Sequence, residues 1–155
     1  MQHFGQNYTS INQFATEAPN ADAFYQYERD RSDFPAYHFR MSAHDMALYG
    51  QLYLNEGRWG DQQIIPAAWI EKSTQVHSVS NPRFGLGYGL LWGVVVPDAP
   101  VERNSFYHSG SGVHFLGVYP GKDMVMVHRV DTEAGSPFSE NDLYALIGMV
   151  HRAIR

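Results

Sequence analysis

Apolar residues recur with a helical period in the middle of the chain and at its C-terminal end. From Ser42 to about Asn55 the pattern predicts a helix, because Ser42 and Asp45 form a capping-box-like start and Gly57 suits the C-terminal stop. Its apolar positions follow the i, i+3, i+4, i+7 spacing of one helical face: Met46, Tyr49, Gly50 and Tyr53. This face is expected to pack against another element.

Two more helices are predicted. Pro66 suits the first position of a short helix that runs through Ala67–Ser73. At the C-terminal end, Ser139 and Asp142 form a second capping pair. One apolar stripe follows that pair: Leu143, Leu146, Ile147, Val150 and Ile154.

From Phe84 onward the sequence becomes rich in glycine and in residues that favour β-strands. Three runs are each bounded by Pro, Gly, Asp or Asn, and they predict three strands: GLGYGLLWGVVV, FYHSGSGVHFLGVYP and DMVMVHRV. The short connection from Pro120 to Asp123 predicts that the second and third strands form an antiparallel hairpin. The predicted fold class is α+β: an antiparallel sheet of about three strands covered by a C-terminal amphipathic helix, with two further helices.

The 155 residues suit one domain or a piece of one. We expect residues 1–40 to be irregular, 41–75 to be helical, and 84–155 to hold the sheet and the C-terminal helix. Tyrosines of the first segment are expected to anchor it, with a substrate cleft as the alternative: Tyr25, Tyr27 and Tyr37. All three tryptophans are interpreted as core residues: Trp59, Trp69 and Trp92.

Composition narrows the range of functions. The chain is 44% hydrophobic and 17% charged, which is typical of a globular protein. With a net charge of −5 and no basic stripe, nucleic acid is not an expected partner. No apolar run reaches the roughly 20 residues of a membrane span, and the N-terminus lacks the pattern of a signal peptide. The absence of cysteine excludes disulfides and thiolate chemistry, and leaves the compartment open.

Small and polar residues occupy the middle predicted strand, where apolar residues are expected. They are the run His108, Ser109, Gly110, Ser111 and Gly112. On a strand, His108 and Gly110 face one way while Ser109 and Ser111 face the other. A ligand along this strand would meet an imidazole, a hydroxyl and bare backbone, whose N–H groups can stabilise an oxyanion.

This stretch resembles the third motif of the serine β-lactamases, penicillin-binding proteins and related esterases, which often reads His-Ser-Gly in esterase-like and class C-like members. HSGSGVHFLGVYPGKDMVMV is similar to the family's strand, turn and next strand. RFGLGYGLLW resembles the strand just upstream, and FRMSAHDMALYGQLYLNEGRWGDQQIIPAAWIEKST resembles the family's helix, Gly turn, Ile-Pro and Trp helix segment. The matches cover about two thirds of the chain in the family's order.

The resemblance implies roles for four residues. His108 would take the position usually held by lysine, and Ser109 would supply the hydroxyl of the motif. Gly110 would permit close approach of the substrate, and the backbone N–H of Ser111 would supply half of an oxyanion hole. The implied activity is acyl-transfer hydrolysis of a lactam, peptide or ester. No cofactor is implied.

The family's nucleophile motif, Ser-x-x-Lys, is missing from these residues. The two lysines are Lys72 and Lys122, and Trp69 and Tyr119 stand three residues before them. Since Met1 falls where an internal methionine of the family would stand, we expect the chain to be the C-terminal portion of a longer hydrolase and to be inactive alone. An N-terminal half, or self-association through an exposed face, would then be its partner.

Three other readings are weighed. The chain could be a non-catalytic binding or interaction domain derived from this fold. A metal site formed by His108, His114 and His128 is disfavoured by their spacing and by the lack of clustered carboxylates. An independent Ser-His hydrolase is disfavoured because adjacent strand residues point to opposite faces.

Overall fold

The computed structural model describes residues 23–27, 33, 37–97, 104–110, 112–131, 134–135 and 137–154. The chain divides into two compact units, 1–46 and 47–155. The first unit holds an antiparallel pair, β1 (Ala23–Tyr27) and β2 (Tyr37–Met41). The prediction that residues 1–40 are irregular was therefore wrong where this pair lies, because aromatic residues that looked like anchors also favour strands. The side chains of the three tyrosines named above lie outside the described residues.

The three helices predicted from the sequence are all present. Helix α1 spans Ala43–Leu54, and the Asp45 backbone N–H donates to the Ser42 hydroxyl over 3.1 Å. Helix α2 spans Ala67–Thr74 and follows Pro66 directly. Helix α3 spans Glu140–Ala153 and begins with the full capping box of Ser139 and Asp142. Capping side chains satisfy backbone N–H groups that have no partner inside the helix.

The second unit contains a six-stranded antiparallel sheet in the order β10-β9-β8-β7-β6-β5. Its strands are β5 (Ser78–Asn81), β6 (Leu86–Tyr88), β7 (Gly93–Val95), β8 (Phe106–Gly110), β9 (His114–Tyr119) and β10 (Met124–His128). A separate small antiparallel pair follows α1, formed by β3 (Arg58–Trp59) and β4 (Gln62–Gln63). The predicted hairpin across Pro120–Lys122 is confirmed as β9 and β10.

The sheet has twice the predicted number of strands for a simple reason. Two of the sequence runs that were each predicted to be one strand contain a chain reversal. Leu91 has φ of 68° between β6 and β7. Gly112 and Val113 have φ of 81° and 63° between β8 and β9. A left-handed backbone conformation turns the chain back on itself. Strand β5 was not predicted because it has only four residues, of which three are polar and most are exposed.

Helices pack on the sheet from two sides. On one face α1 comes so close that a Cβ added at Gly50 would lie 2.6 Å from Val125 Cγ1 and 2.9 Å from Leu116 Cδ1. On the other face, α3 contributes Leu143 to a cluster with Phe115 and Tyr119, as its stripe predicted. Strand β9 is therefore covered on both faces, and all its residues but His114 are buried.

The tryptophans differ in environment. Trp92 is 2% exposed and lies in the core, as predicted, whereas Trp59 and Trp69 are 48% and 46% exposed. The core prediction was wrong for these two. Trp59 stands on the short β3–β4 pair and Trp69 on the outer side of the two-turn helix α2, where little covers either ring.

Candidate active site

Strand β8 ends at the predicted site. In the pairing with β9, His108 stands opposite Leu116, Ser109 opposite Phe115, and Gly110 opposite His114. Consecutive strand residues face opposite sides of the sheet, so Ser109 points away from the face on which His108 lies. His108 is half-buried, while Ser109 and Gly110 are exposed at the end of the strand.

The imidazole of His108 lies beside the rings of Trp92 and Tyr49. Its centroid lies 3.9 Å from that of Trp92, and the planes are inclined by 33°. Tyr49 of α1 stacks on Trp92 at 5.9 Å and lies 6.4 Å from His108. The histidine therefore stands at the border between the core on the α1 side of the sheet and the exposed strand end.

Burial shifts the pKa values of His108 and Tyr49. Removal from water lowers the pKa of His108, because a low-dielectric environment disfavours the imidazolium form. Burial also raises the pKa of Tyr49, with a hydrogen bond and charge interaction from Tyr53 acting in the same direction. Both shifts favour the neutral forms of these side chains at pH 7.

Among the described residues, Gly110 has free space where a side chain would stand. A Cβ added there would meet only the Cβ of His114 within that part of the chain, at 3.8 Å, which is an ordinary van der Waals contact. At Gly93 the added atom would lie 2.5 Å from the Tyr107 ring, and at Gly117 it would lie 2.6 Å from the Tyr119 hydroxyl. Packing within the described residues thus explains glycine at 93 and 117 but leaves the space beside Gly110 unused.

The turn after Gly110 is held in an unusual conformation. Gly112 and Val113 both have positive φ, and a β-branched residue rarely adopts this conformation. The Val113 carbonyl accepts a hydrogen bond from His128 Nδ1 at 3.0 Å. Ser111, the fourth predicted site residue, lies outside the described residues.

Sequence reasoning missed two neighbours of His108. Tyr49 was predicted only as part of an apolar helix face, and Trp92 only as core. The run RFGLGYGLLW did carry a signal, since β6 and β7 place Trp92 directly before a strand that pairs with β8. No comparable signal joined Tyr49 to His108, because that contact depends on how α1 packs on the sheet.

The three histidines weighed as metal ligands are not brought together by the sheet. His108 contacts Trp92 on the α1 side, whereas His128 stacks on Phe138 at 4.5 Å on the α3 side. Among residues the structure describes, no group of three or more potential ligands is suited to a metal ion. Within the same residues, each helix is too short or too polar to cross a membrane.

Comparison with known proteins finds similarity among solved structures. No family model matches the chain, and no curated protein matches it. Among solved structures, the chain is similar to "Putative 6-aminohexanoate-dimer hydrolase from Bacillus anthracis", with 26% sequence identity and a TM-score of 0.58. The match covers 76% of this chain and 29% of that structure. The α+β architecture, with three helices in the described residues and antiparallel sheets, is consistent with a β-lactamase-like fold.

Proposed function

We propose that this chain is the C-terminal part of a β-lactamase-related serine hydrolase and supplies one wall of its active site. The wall is the end of β8 with the turn that follows, and the nucleophile would come from polypeptide outside these 155 residues. The observation that carries the proposal is the exposed Ser109–Gly110 strand end, beside a half-buried histidine and an unfilled space at Gly110.

The reaction would be acyl transfer to a serine. The serine oxygen attacks the substrate carbonyl carbon, a tetrahedral oxyanion forms, and the leaving group departs with a proton. The resulting acyl-enzyme is then hydrolysed by water. Backbone N–H groups stabilise such an oxyanion most when they are fixed in advance and shielded from water.

Each residue of the wall has a proposed role. The neutral imidazole of His108 would donate or accept a hydrogen bond with the substrate. It would not supply the positive charge that lysine gives at this position in the family that the chain resembles. The exposed Ser109 hydroxyl would contact the substrate edge, and the space at Gly110 would admit the acyl group. The backbone N–H of Ser111 would complete an oxyanion hole.

The relation to the 6-aminohexanoate-dimer hydrolase supports a hydrolytic site and leaves the substrate open. That name describes cleavage of an amide-linked dimer, and this chain corresponds to 29% of that structure. An amide of an amino acid is therefore one candidate substrate beside lactams and esters. Parallel assays with these three substrate types would rank them.

The test is expression of the 155-residue chain and of a longer polypeptide read from the same frame upstream of Met1. We expect the longer polypeptide to react with a fluorophosphonate probe at a serine of a Ser-x-x-Lys motif, and the short chain to remain unlabelled. Labelling of the short chain at Ser109 would contradict the proposal. A stop codon just upstream, with no second chain that restores labelling, would also contradict it.

One observation favours a second candidate, a non-catalytic interaction domain. An apolar depression is lined by Leu48, Tyr49, Leu52, Trp59 and Ile64. Trp59 and Ile64 are 48% and 54% exposed, and contiguous exposed apolar surface commonly marks an interface. Trp59→Arg should then abolish any self-association seen by light scattering, while Trp69→Arg, at an equally exposed tryptophan outside the depression, should not.

A further inference from the structure

Val113, between β8 and β9, is contacted by a residue from outside that hairpin. Val113 has φ of 63°, a conformation that crowds a β-branched side chain against its own backbone. Such a conformation persists only where surrounding contacts impose it. The structure provides two such contacts, one through the Val113 side chain and one through its carbonyl.

The side chain of Val113 packs against the cluster of Phe115, Tyr119 and Leu143. Its carbonyl accepts the 3.0 Å hydrogen bond from His128 Nδ1 at the end of β10. The core contact holds the side chain from one side, and the hydrogen bond fixes the direction of the peptide group. Since a carbonyl only accepts hydrogen bonds, His128 must carry a proton on Nδ1.

His128 is itself held in place. Its ring stacks on Phe138, with centroids 4.5 Å apart and planes inclined by 27°. Phe138 directly precedes Ser139, the N-cap of α3. A continuous series of contacts therefore runs from the start of α3 through Phe138 and His128 to the Val113 carbonyl.

We propose that His128 is a positioning residue, which fixes the backbone of the Gly112–Val113 turn by its hydrogen bond to the Val113 carbonyl so that the end of β8 presents a fixed edge to substrate. The inference rests on the proposed function, because the turn follows the proposed substrate-binding strand end. His128 does not touch substrate in this arrangement. It acts through the peptide group of Val113.

Two variants separate the hydrogen bond from the ring contact. His128→Phe keeps an aromatic ring beside Phe138 and loses the donor. His128→Asn restores a donor, because the amide nitrogen of asparagine stands as many bonds from Cβ as the imidazole Nδ1 does. Comparison of both with the parent chain therefore reports on the hydrogen bond.

The first measurement is amide hydrogen exchange along the 155-residue chain. We expect His128→Phe to speed exchange of the amides at 112–114 by about tenfold, as expected for loss of one well-placed hydrogen bond, and His128→Asn to restore most of the protection. The paired amides of β8 and β9, away from the turn, should change little. Faster exchange spread evenly over the sheet, or an unchanged exchange rate at 112–114, would refute the proposal that His128 fixes this turn.

The second measurement is hydrolysis by the longer polypeptide described above. A positioning role predicts that His128→Phe lowers kcat by about tenfold with little change in KM, since a misplaced oxyanion donor affects the transition state most, and that His128→Asn recovers activity. A loosened turn with unchanged kcat would overturn the positioning role. If the longer parent polypeptide shows no hydrolysis, the proposed function fails together with the catalytic part of this inference. The exchange result still decides whether His128 holds the turn.

Discussion

The imidazole of His108 lies against the indole of Trp92, with ring centroids 3.9 Å apart. Trp92 is almost fully buried, so this contact draws the histidine partly out of water. A lysine at the same position would have to keep its ammonium group hydrated or paired, whereas imidazole can shed its charge. The contact thus explains how the proposed site can place a nitrogen base here without a fixed positive charge.

The first prediction concerns the titration of His108. Burial lowers the pKa of His108 in the folded state, while the unfolded chain retains a value of about 6.5. Below that value the unfolded state binds more protons, so the stabilising effect of the neutral buried imidazole is complete above about pH 6.5 and is lost as pH falls through the folded-state pKa. Proton NMR of the ring should report a pKa below 6.5.

His108→Phe is the control for this titration. It retains a ring against Trp92 and removes the titrating group, so this part of the acid destabilisation should disappear from chemical-denaturation curves measured across the same pH range. A ring pKa at or above 6.5 would show that the contact with Trp92 does not dehydrate the imidazole.

The second prediction compares two glycines of one hairpin. Gly110→Ala should change the free energy of unfolding by less than about 0.5 kcal/mol, since among the residues that the structure describes the added Cβ meets only His114, at 3.8 Å. Gly117→Ala should cost about 1–3 kcal/mol, because its Cβ would lie within 2.7 Å of both the Phe115 and Tyr119 rings. Urea denaturation of both variants measures the difference.

Gly110→Ala also tests the proposed role of Gly110 in substrate binding. In the longer polypeptide, Gly110→Ala should lower kcat/KM for acyl substrates although the protein remains folded, because the methyl group fills the proposed substrate space. Unchanged kcat/KM in a folded variant would mean that substrate does not use this space.

The third prediction compares glycines in two helices. Gly50→Ala in α1 should destabilise the chain by about 1–2 kcal/mol, because overpacking against Val125 and Leu116 outweighs the gain of about 1 kcal/mol in helix propensity. Gly148→Ala in α3 should stabilise it by up to about 1 kcal/mol, since the added Cβ meets only the end of the Arg152 side chain, at 3.3 Å. Thermal unfolding followed by circular dichroism tests both signs, and a stabilising Gly50→Ala would show that α1 can move away from the sheet at little cost.

Local signals in the sequence determined the helices well. Ser42, Pro66 and Ser139 each mark a start that the structure places within a residue or two, because capping and proline effects involve neighbours along the chain. The β9–β10 hairpin was predicted for the same reason, through the short connection that begins at Pro120. The placement of His108 on a strand is confirmed by β8, and the role of its motif in hydrolysis stays a prediction.

Tertiary structure alone decided the number of strands and the surroundings of the site. The reversals at Leu91 and Val113 need positive φ at residues that seldom adopt it, so sequence propensity favoured continuous strands there. The contacts of His108 with Tyr49 and of His128 with Val113 join residues that are far apart in the sequence. Such pairs meet only when helix and sheet pack together, and no local pattern encodes that arrangement.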